Sequence, residues 1–324
     1  MQNRNVLIIP NKLPDYLVSQ VSKKFNIVWL SDIIENEQWF EKQGHAVELV
    51  LTNGSSGIDS RLINRLSGLK MIAINGVGFD AVDLVAAKQR KITVTNTPDV
   101  LNDCVADHAM ALMLGISRRI NESERYLRDG KWASQGKFPL GKKLGGKICG
   151  IVGLGNIGRA VALRAQAFGM HIHYFSRKQK TELSWPYHAS IISLAEVSNY
   201  LVITLPGGDD TYHMINQSVL EALGPEGYIV NVSRGSVVDE NALTIALKNE
   251  KIAGAAMDVY EYEPQVPVSL LSAENVLLTP HIGSSTHETA KAMADLVVEN
   301  MLAFSQGKPV LTPVPGFDNE NLIN

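Results

Sequence analysis

Ile148-Cys149-Gly150-Ile151-Val152-Gly153-Leu154-Gly155-Asn156-Ile157-Gly158 is the stretch that decides the fold of this chain. Its first five residues are a continuous apolar run of strand length, as found in parallel strands buried on both faces. A G-x-G-x-x-G loop follows without a gap. Behind it, Ala160, Val161, Leu163 and Ala167 form an apolar stripe at helical spacing, and another strand-like run starts at His171. Strand, glycine loop, helix and strand, in that order, are the context a dinucleotide-binding loop requires. Gly153 allows the tight turn, Gly155 lets the backbone approach a pyrophosphate, and Gly158 lets helix and strand pack closely. The helix N-terminus then offers N–H groups and partial positive charge to the phosphates.

The same alternation extends in both directions. Downstream lie apolar runs over 201–205, 228–232, 252–257 and 276–278, then a long helical pattern over about 285–304 that Gly307 and Pro309 end. Upstream lie Val6-Leu7-Ile8-Ile9, Val47 to Leu51, Met71 to Ile74 and Ile92-Thr93-Val94, separated by helical spacings such as Leu62, Leu66 and Leu69. A long helix is expected over 100–120, with Asp99 as its N-cap. The Gly- and Lys-rich stretch 129–147 reads as an extended arm. Repeated strand–helix alternation implies α/β architecture, with parallel sheets doubly wound by helices.

The length of 324 residues suggests two domains at roughly 150 residues each. Thirty Lys and Arg against 33 Asp and Glu leave a net charge of -3, and aromatics are only 6%. That balance argues against a nucleic-acid surface or a base-stacking platform. Two cysteines, Cys104 and Cys149, can make neither a disulfide scaffold nor a four-thiolate zinc site, so no metal is expected. They fit a reducing compartment, and the expected location is cytoplasmic. The run Val6 to Pro10 is too short for a signal-peptide core, and no apolar stretch approaches membrane-spanning length.

The end of the strand after the glycine loop selects the cofactor. NAD binders usually carry an Asp or Glu there to hold the ribose 2′-hydroxyl. This chain reads Tyr174-Phe175-Ser176-Arg177-Lys178, with no carboxylate. Ser176 can donate a hydrogen bond, and Arg177, with Lys178 beside it, can pair with a 2′-phosphate. NADP(H) is therefore expected over NAD(H).

Three further islands follow strands of the same series, where a doubly wound fold gathers its ligands. Each supplies one group that reduction of a 2-keto acid needs. Arg234 offers a planar fork that matches a carboxylate. His281 is a proton donor suited to neutral pH. Glu263 is a carboxylate to hold that imidazole.

With these residues in place, the chain resembles the D-isomer-specific 2-hydroxyacid dehydrogenases over essentially its whole length. The resemblance rests on G-L-G-N-I-G, on N-V-S-R-G-S-V-V-D-E around Arg234, on D-V-Y-E-Y-E-P around Glu263 and on P-H-I-G-S-S-T at His281. Within the family it is most similar to the glyoxylate/hydroxypyruvate reductases. The resemblance implies that Arg234 orients the substrate, that His281 is the general acid and that Glu263 pairs with it. It implies that Val77 and Gly78, in Asn75-Gly76-Val77-Gly78-Phe79-Asp80, bind the substrate carboxylate through backbone N–H groups. Asn156 and Ile157 fall on the pyrophosphate, and Leu205, Pro206, Ser233, Asp258 and Gly283 line the cofactor cleft. Where many relatives carry a Glu in the hinge helix, this chain has Asp107, to which no role is given.

The implied layout is a Rossmann cofactor domain over 100–285 and a flavodoxin-like substrate domain made from 1–99 and 286–324, with the active site in the cleft between them. The implied assembly is a homodimer, with Trp132 in the 129–147 arm as a partner contact. The expected activity is NADPH-dependent reduction of glyoxylate and hydroxypyruvate. The alternatives are a larger 2-keto acid, such as 2-ketogluconate or an aromatic pyruvate, 3-phosphohydroxypyruvate, or a non-enzymatic dinucleotide sensor of the same fold.

Overall fold

The computed structural model describes residues 4–318, and each of its two units is built on a parallel sheet. One unit takes in the chain up to Leu101 and again from Thr286; the other is Asn102–Ser285. The first holds β1 (Asn5–Ile8), β2 (Asn26–Trp29), β3 (Val47–Asn53), β4 (Met71–Asn75) and β5 (Thr93–Thr95). They pair in the order β2-β1-β3-β4-β5, and every pairing is parallel. This is the flavodoxin-like order.

Strand alternation sorts the core of this unit onto two faces. Val6, Ile8, Leu49 and Leu51 point one way, toward Leu17 and Val21 of the helix Asp15–Ser22. Ala294, Val297 and Met301 cover the same face from the helix His287–Ser305, which Thr286 caps by accepting from the Thr289 amide at 3.2 Å. Leu7, Val50 and Ile72 point the other way, against Ile63, Leu66 and Ala87.

The second unit holds β6 (Ile148–Val152), β7 (His171–Phe175), β8 (Tyr187–His188), β9 (Tyr200–Ile203), β10 (Tyr228–Asn231), β11 (Gly254–Met257) and β12 (Val276–Leu278). Its order is β12-β11-β10-β9-β6-β7-β8, again all parallel. This is the dinucleotide-binding order with one strand added, and the connections change direction between β6 and β9. The helix Asn102–Arg118 buries Ala106, Ala109, Met110 and Met113 in this unit.

Several local expectations shift. The helix expected from residue 100 starts at Asn102, because Asp99 lies in left-handed backbone at φ 67°. It stops at Arg118 because Arg119 is left-handed too, at φ 54°. The 129–147 stretch is not a plain arm: Lys131–Gln135 is a short helix that leaves Trp132 exposed. Strands β2 and β8 had no counterpart in the sequence reading. β2 is an edge strand with no fully buried residue, and β8 is two residues long.

Candidate active site

Because all seven strands of the second unit are parallel, their C-terminal ends share one edge. Along it, β12, β11, β10, β9, β6 and β7 lead in turn to His281, Glu263, Arg234, Leu205 and Pro206, the glycine loop, and Ser176 to Lys178. At about 4.8 Å between strands, the first and last of these stations are roughly 24 Å apart. The acid–base groups sit at one end of the row and the 2′-phosphate candidate at the other.

At the β12 end, His281 Nδ1 lies 2.7 Å from Glu263 Oε2. An ionised carboxylate only accepts, so Nδ1 carries the proton of this bond and Nε2 is left for proton exchange. Glu263 is itself held, since its Oε1 accepts from the Tyr260 amide at 3.0 Å. Tyr260 donates its hydroxyl to the carbonyls of Met257 and Thr279 at 3.2 and 3.1 Å. Burial, reinforced by the nearby Asp258, raises that phenol well above its ordinary range, so it remains a donor.

Asp258 stands behind the histidine rather than beside it. Its side chain is 2% exposed and its carboxylate accepts from the amides of Ile282 and Gly283 at 2.9 and 2.8 Å and from Thr279 Oγ1 at 2.6 Å. Burial alone would raise this carboxyl, but hydrogen bonds from His108, Thr279 and the Ile282 amide overcome it and hold the group below its usual value. A Cβ at Gly283 would stand 3.0 Å from Asp258 Oδ2, so the glycine lets the carboxylate close on the turn.

Arg234 follows β10 at the start of the 3-10 turn Gly235–Val237, and its Nη1 donates to the Ser233 carbonyl at 2.8 Å. Fully buried Asn231 shapes this corner. Its Oδ1 accepts from the Ser233 amide and hydroxyl at 3.0 and 2.8 Å, and its Nδ2 donates to the Arg234 carbonyl at 3.0 Å. Next door, Glu240 Oε1 accepts from the Glu261 amide at 3.0 Å, which ties the strand end carrying Arg234 to the one carrying Glu263. Burial raises the Glu240 carboxyl.

The glycine loop has the form a pyrophosphate needs. Gly153 adopts φ 99°, and its carbonyl accepts from Thr204 Oγ1 at 2.6 Å. A Cβ at Gly158 would run into the Gly153 carbonyl. A Cβ at Gly155 would meet nothing within 4 Å, so there is open space above the N-terminus of the helix Asn156–Ala167. Gly155 caps that helix without any side-chain hydrogen bond. Asn156 is exposed there and Ile157 half-buried. These residues fit a dinucleotide phosphate.

After β7, Ser176 is buried and spends its hydroxyl on the Lys178 carbonyl at 2.6 Å. It is the brace of the turn. Arg177 and Lys178 are exposed beyond it.

In the first unit, the Val77–Gly78 loop follows β4. The Thr97 amide donates to the Gly76 carbonyl at 2.9 Å and Asn96 Nδ2 donates to the Val77 carbonyl at 2.7 Å. Both peptides are trans, so fixing the two carbonyls toward residues 96–97 turns the Val77 and Gly78 N–H groups to the opposite side. Two adjacent N–H groups on one side make an anion-binding concavity.

Sequence reasoning singled out Arg234, Glu263 and His281 and missed the residues that hold the site in place: Asn96, His108, Asn231 and Glu240. The available signals were Asn231 and Glu240, which open and close the N-V-S-R-G-S-V-V-D-E string around Arg234. Among the described residues, no group of three or more His, Cys, Asp or Glu is arranged to hold a metal ion, and no helix is long and apolar enough to cross a membrane. Burial pushes the Cys149 thiol up to about 12, which leaves it inert.

The chain is similar to known proteins over nearly its whole length. The family profile for the NAD binding domain of D-isomer specific 2-hydroxyacid dehydrogenases matches residues 110–283. A glyoxylate/hydroxypyruvate reductase A of Arabidopsis thaliana is 43% identical over 302 residues, covering 93% of this chain and 96% of its own. A hydroxyphenylpyruvate reductase of Plectranthus scutellarioides is 44% identical over 299 residues, covering 92% and 95%. An NADPH-dependent glyoxylate/hydroxypyruvate reductase from Sinorhizobium meliloti, solved with NADP and malonate, superposes with a TM-score of 0.89 at 39% identity, covering 96% of this chain and 97% of that one.

Proposed function

The chain belongs to the D-isomer specific 2-hydroxyacid dehydrogenases, and we propose that within that family it reduces small 2-keto acids, glyoxylate and hydroxypyruvate, with NADPH as the preferred nicotinamide dinucleotide. The cofactor preference rests on one observation: the turn after β7 exposes Arg177 and Lys178 and carries no carboxylate. A 2′-phosphate there meets a charge-assisted donor, whereas a 2′-hydroxyl finds no carboxylate to accept from it. The substrate class rests on the Arabidopsis and Sinorhizobium reductases that the chain is similar to.

The bound cofactor supplies a hydride for the keto carbon. Arg234 grips the substrate carboxylate and polarises the ketone. The Val77 and Gly78 amides offer the same kind of ligand an anion site of their own. His281 delivers the proton from Nε2 to the forming alkoxide, while Glu263 keeps the ring oriented and partners the charged imidazolium. Leu205, Pro206, Ser233, Asp258 and Gly283 border the dinucleotide. The working form is a homodimer, for which the exposed apolar side chains of Leu127, Trp132 and Leu140 provide candidate contacts.

The test is the loss of reduced-nicotinamide absorbance with glyoxylate, hydroxypyruvate, phenylpyruvate and 2-ketogluconate, each with NADPH and with NADH. Fast NADPH oxidation by the two small acids is expected. Turnover of phenylpyruvate alone would replace the substrate with an aromatic pyruvate, the reading that the Plectranthus relative favours. Equal use of NADH would remove the 2′-phosphate argument.

A further inference from the structure

His281 adopts left-handed backbone, φ 52°, a region that a residue with a side chain seldom takes up. Something must hold it there, and the hydrogen bonds converge on Asp258. The His281 amide donates to the Asp258 carbonyl at 2.8 Å. The next two amides donate to the Asp258 carboxylate, Ile282 to Oδ1 and Gly283 to Oδ2. One residue therefore templates three successive peptides of the turn. A buried carboxylate in that position needs compensation, and Thr279 supplies one donor from the same segment.

The remaining contact comes from a distant part of the sequence. His108, on the helix Asn102–Arg118, places Nε2 at 3.2 Å from Asp258 Oδ1 and 3.1 Å from Thr279 Oγ1. The Thr279 hydroxyl already gives its proton to Asp258 at 2.6 Å. Both oxygens facing Nε2 are thus acceptors, and Nε2 must carry a proton. The ring is 15% exposed, and neighbouring Ala106, Ala109 and Met110 anchor the helix in the core. The donor is fixed by packing, not by its own flexibility.

The geometry points to His108 as a positioning residue for the acid. Its Nε2–H holds the Asp258 carboxylate and the Thr279 hydroxyl in register, so that Asp258 keeps the 281–283 turn, and with it His281, in place. This inference rests on the reading of His281 as the general acid. Without the donor, the buried carboxylate is under-compensated. The turn then loses its template, and a displacement of about 1 Å at a catalytic group can cost about 10²-fold in rate.

Three forms of the full chain test this: wild type, His108→Leu, which removes the donor, and His108→Gln, whose Nε2 keeps a neutral donor at similar reach. In His108→Leu, kcat should fall by about 10- to 100-fold while the keto-acid KM stays within about twofold. Amide hydrogen exchange on the cofactor-free protein should show lost protection at Ile282 and Gly283 with β10 unchanged, which excludes general unfolding. His108→Gln should restore both readouts. Wild-type kcat in His108→Leu, unchanged exchange at 282–283, or a Gln variant as impaired as Leu would each overturn the proposal. Failure of the functional reading looks different: wild type would then reduce no 2-keto acid, and the exchange data alone would still decide whether His108 braces the turn.

Discussion

At the end of β12, three successive amides donate to one buried aspartate, a second histidine backs that aspartate, and the outward-facing imidazole is held through Nδ1. At the end of β7, on the same edge of the same sheet, one serine braces a turn whose two cationic side chains reach into solvent. The difference matches what the proposed function asks of each turn. Proton transfer demands a donor fixed to within a fraction of an ångström. Recognition of a 2′-phosphate, as proposed for the second turn, needs charge nearby, and an exposed guanidinium provides it. Damage at the first turn should therefore appear in kcat, and damage at the second in KM and in salt dependence.

The largest expected effect tests the rigid turn directly. His281→Gln should lower kcat by about 10²- to 10⁴-fold, with dinucleotide affinity by fluorescence titration unchanged. Turnover near wild type would leave the turn without its assigned role. Arg234→Lys comes next. A charged hydrogen bond of about 1.5–3 kcal/mol is lost because Lys cannot present the fork, so kcat/KM for the keto acid should drop roughly 10- to 150-fold. Arg177→Ala should raise the NADPH KM by about tenfold, leave the NADH KM nearly untouched and flatten the dependence of the NADPH KM on ionic strength. If it lowers kcat as much as it raises KM, the contrast between the two turns is wrong.

The smallest effect lies in stability, beneath the turn that carries Arg177. Burial lowers the affinity of His173 on β7 for its proton, and His188 at 3.0 Å and His171 add to this. Its folded value lies below the ordinary 6.5, so the folded state binds fewer protons than the unfolded chain as pH falls. The resulting stability is present above about pH 6.5 and is lost on acidification through the lowered value. Thermal unfolding should show a decline in Tm below pH 6.5 that His173→Gln makes shallower.

What the sequence made legible divides along the same line. The glycine loop could be read because its strand, turn and helix are contiguous, and each glycine has a local reason. Arg234, Glu263 and His281 could be proposed as the reacting groups because their residue types match the three demands of keto-acid reduction. Their supports could not. His108 and Thr279 are 171 residues apart, and no local periodicity announces that a helix side chain will meet a turn after the last strand. Asn96 is similar: its amide fixes the Val77 carbonyl from 19 residues away. Strand β2 escaped notice because Asn26 to Trp29 lie at an edge and never become an uninterrupted buried run.

One feature of the first unit bears on how the chain is made. The sheet face carrying Val6, Ile8, Leu49 and Leu51 is covered in part by Ala294, Val297 and Met301. The ribosome delivers those residues only after the whole of Asn102–Ser285, a wait of roughly 10–40 s at about 5–20 residues per second. Through that interval the nascent sheet carries bare apolar surface while the second unit, complete in sequence, is free to fold. A chain cut short before Thr286 would present that surface permanently.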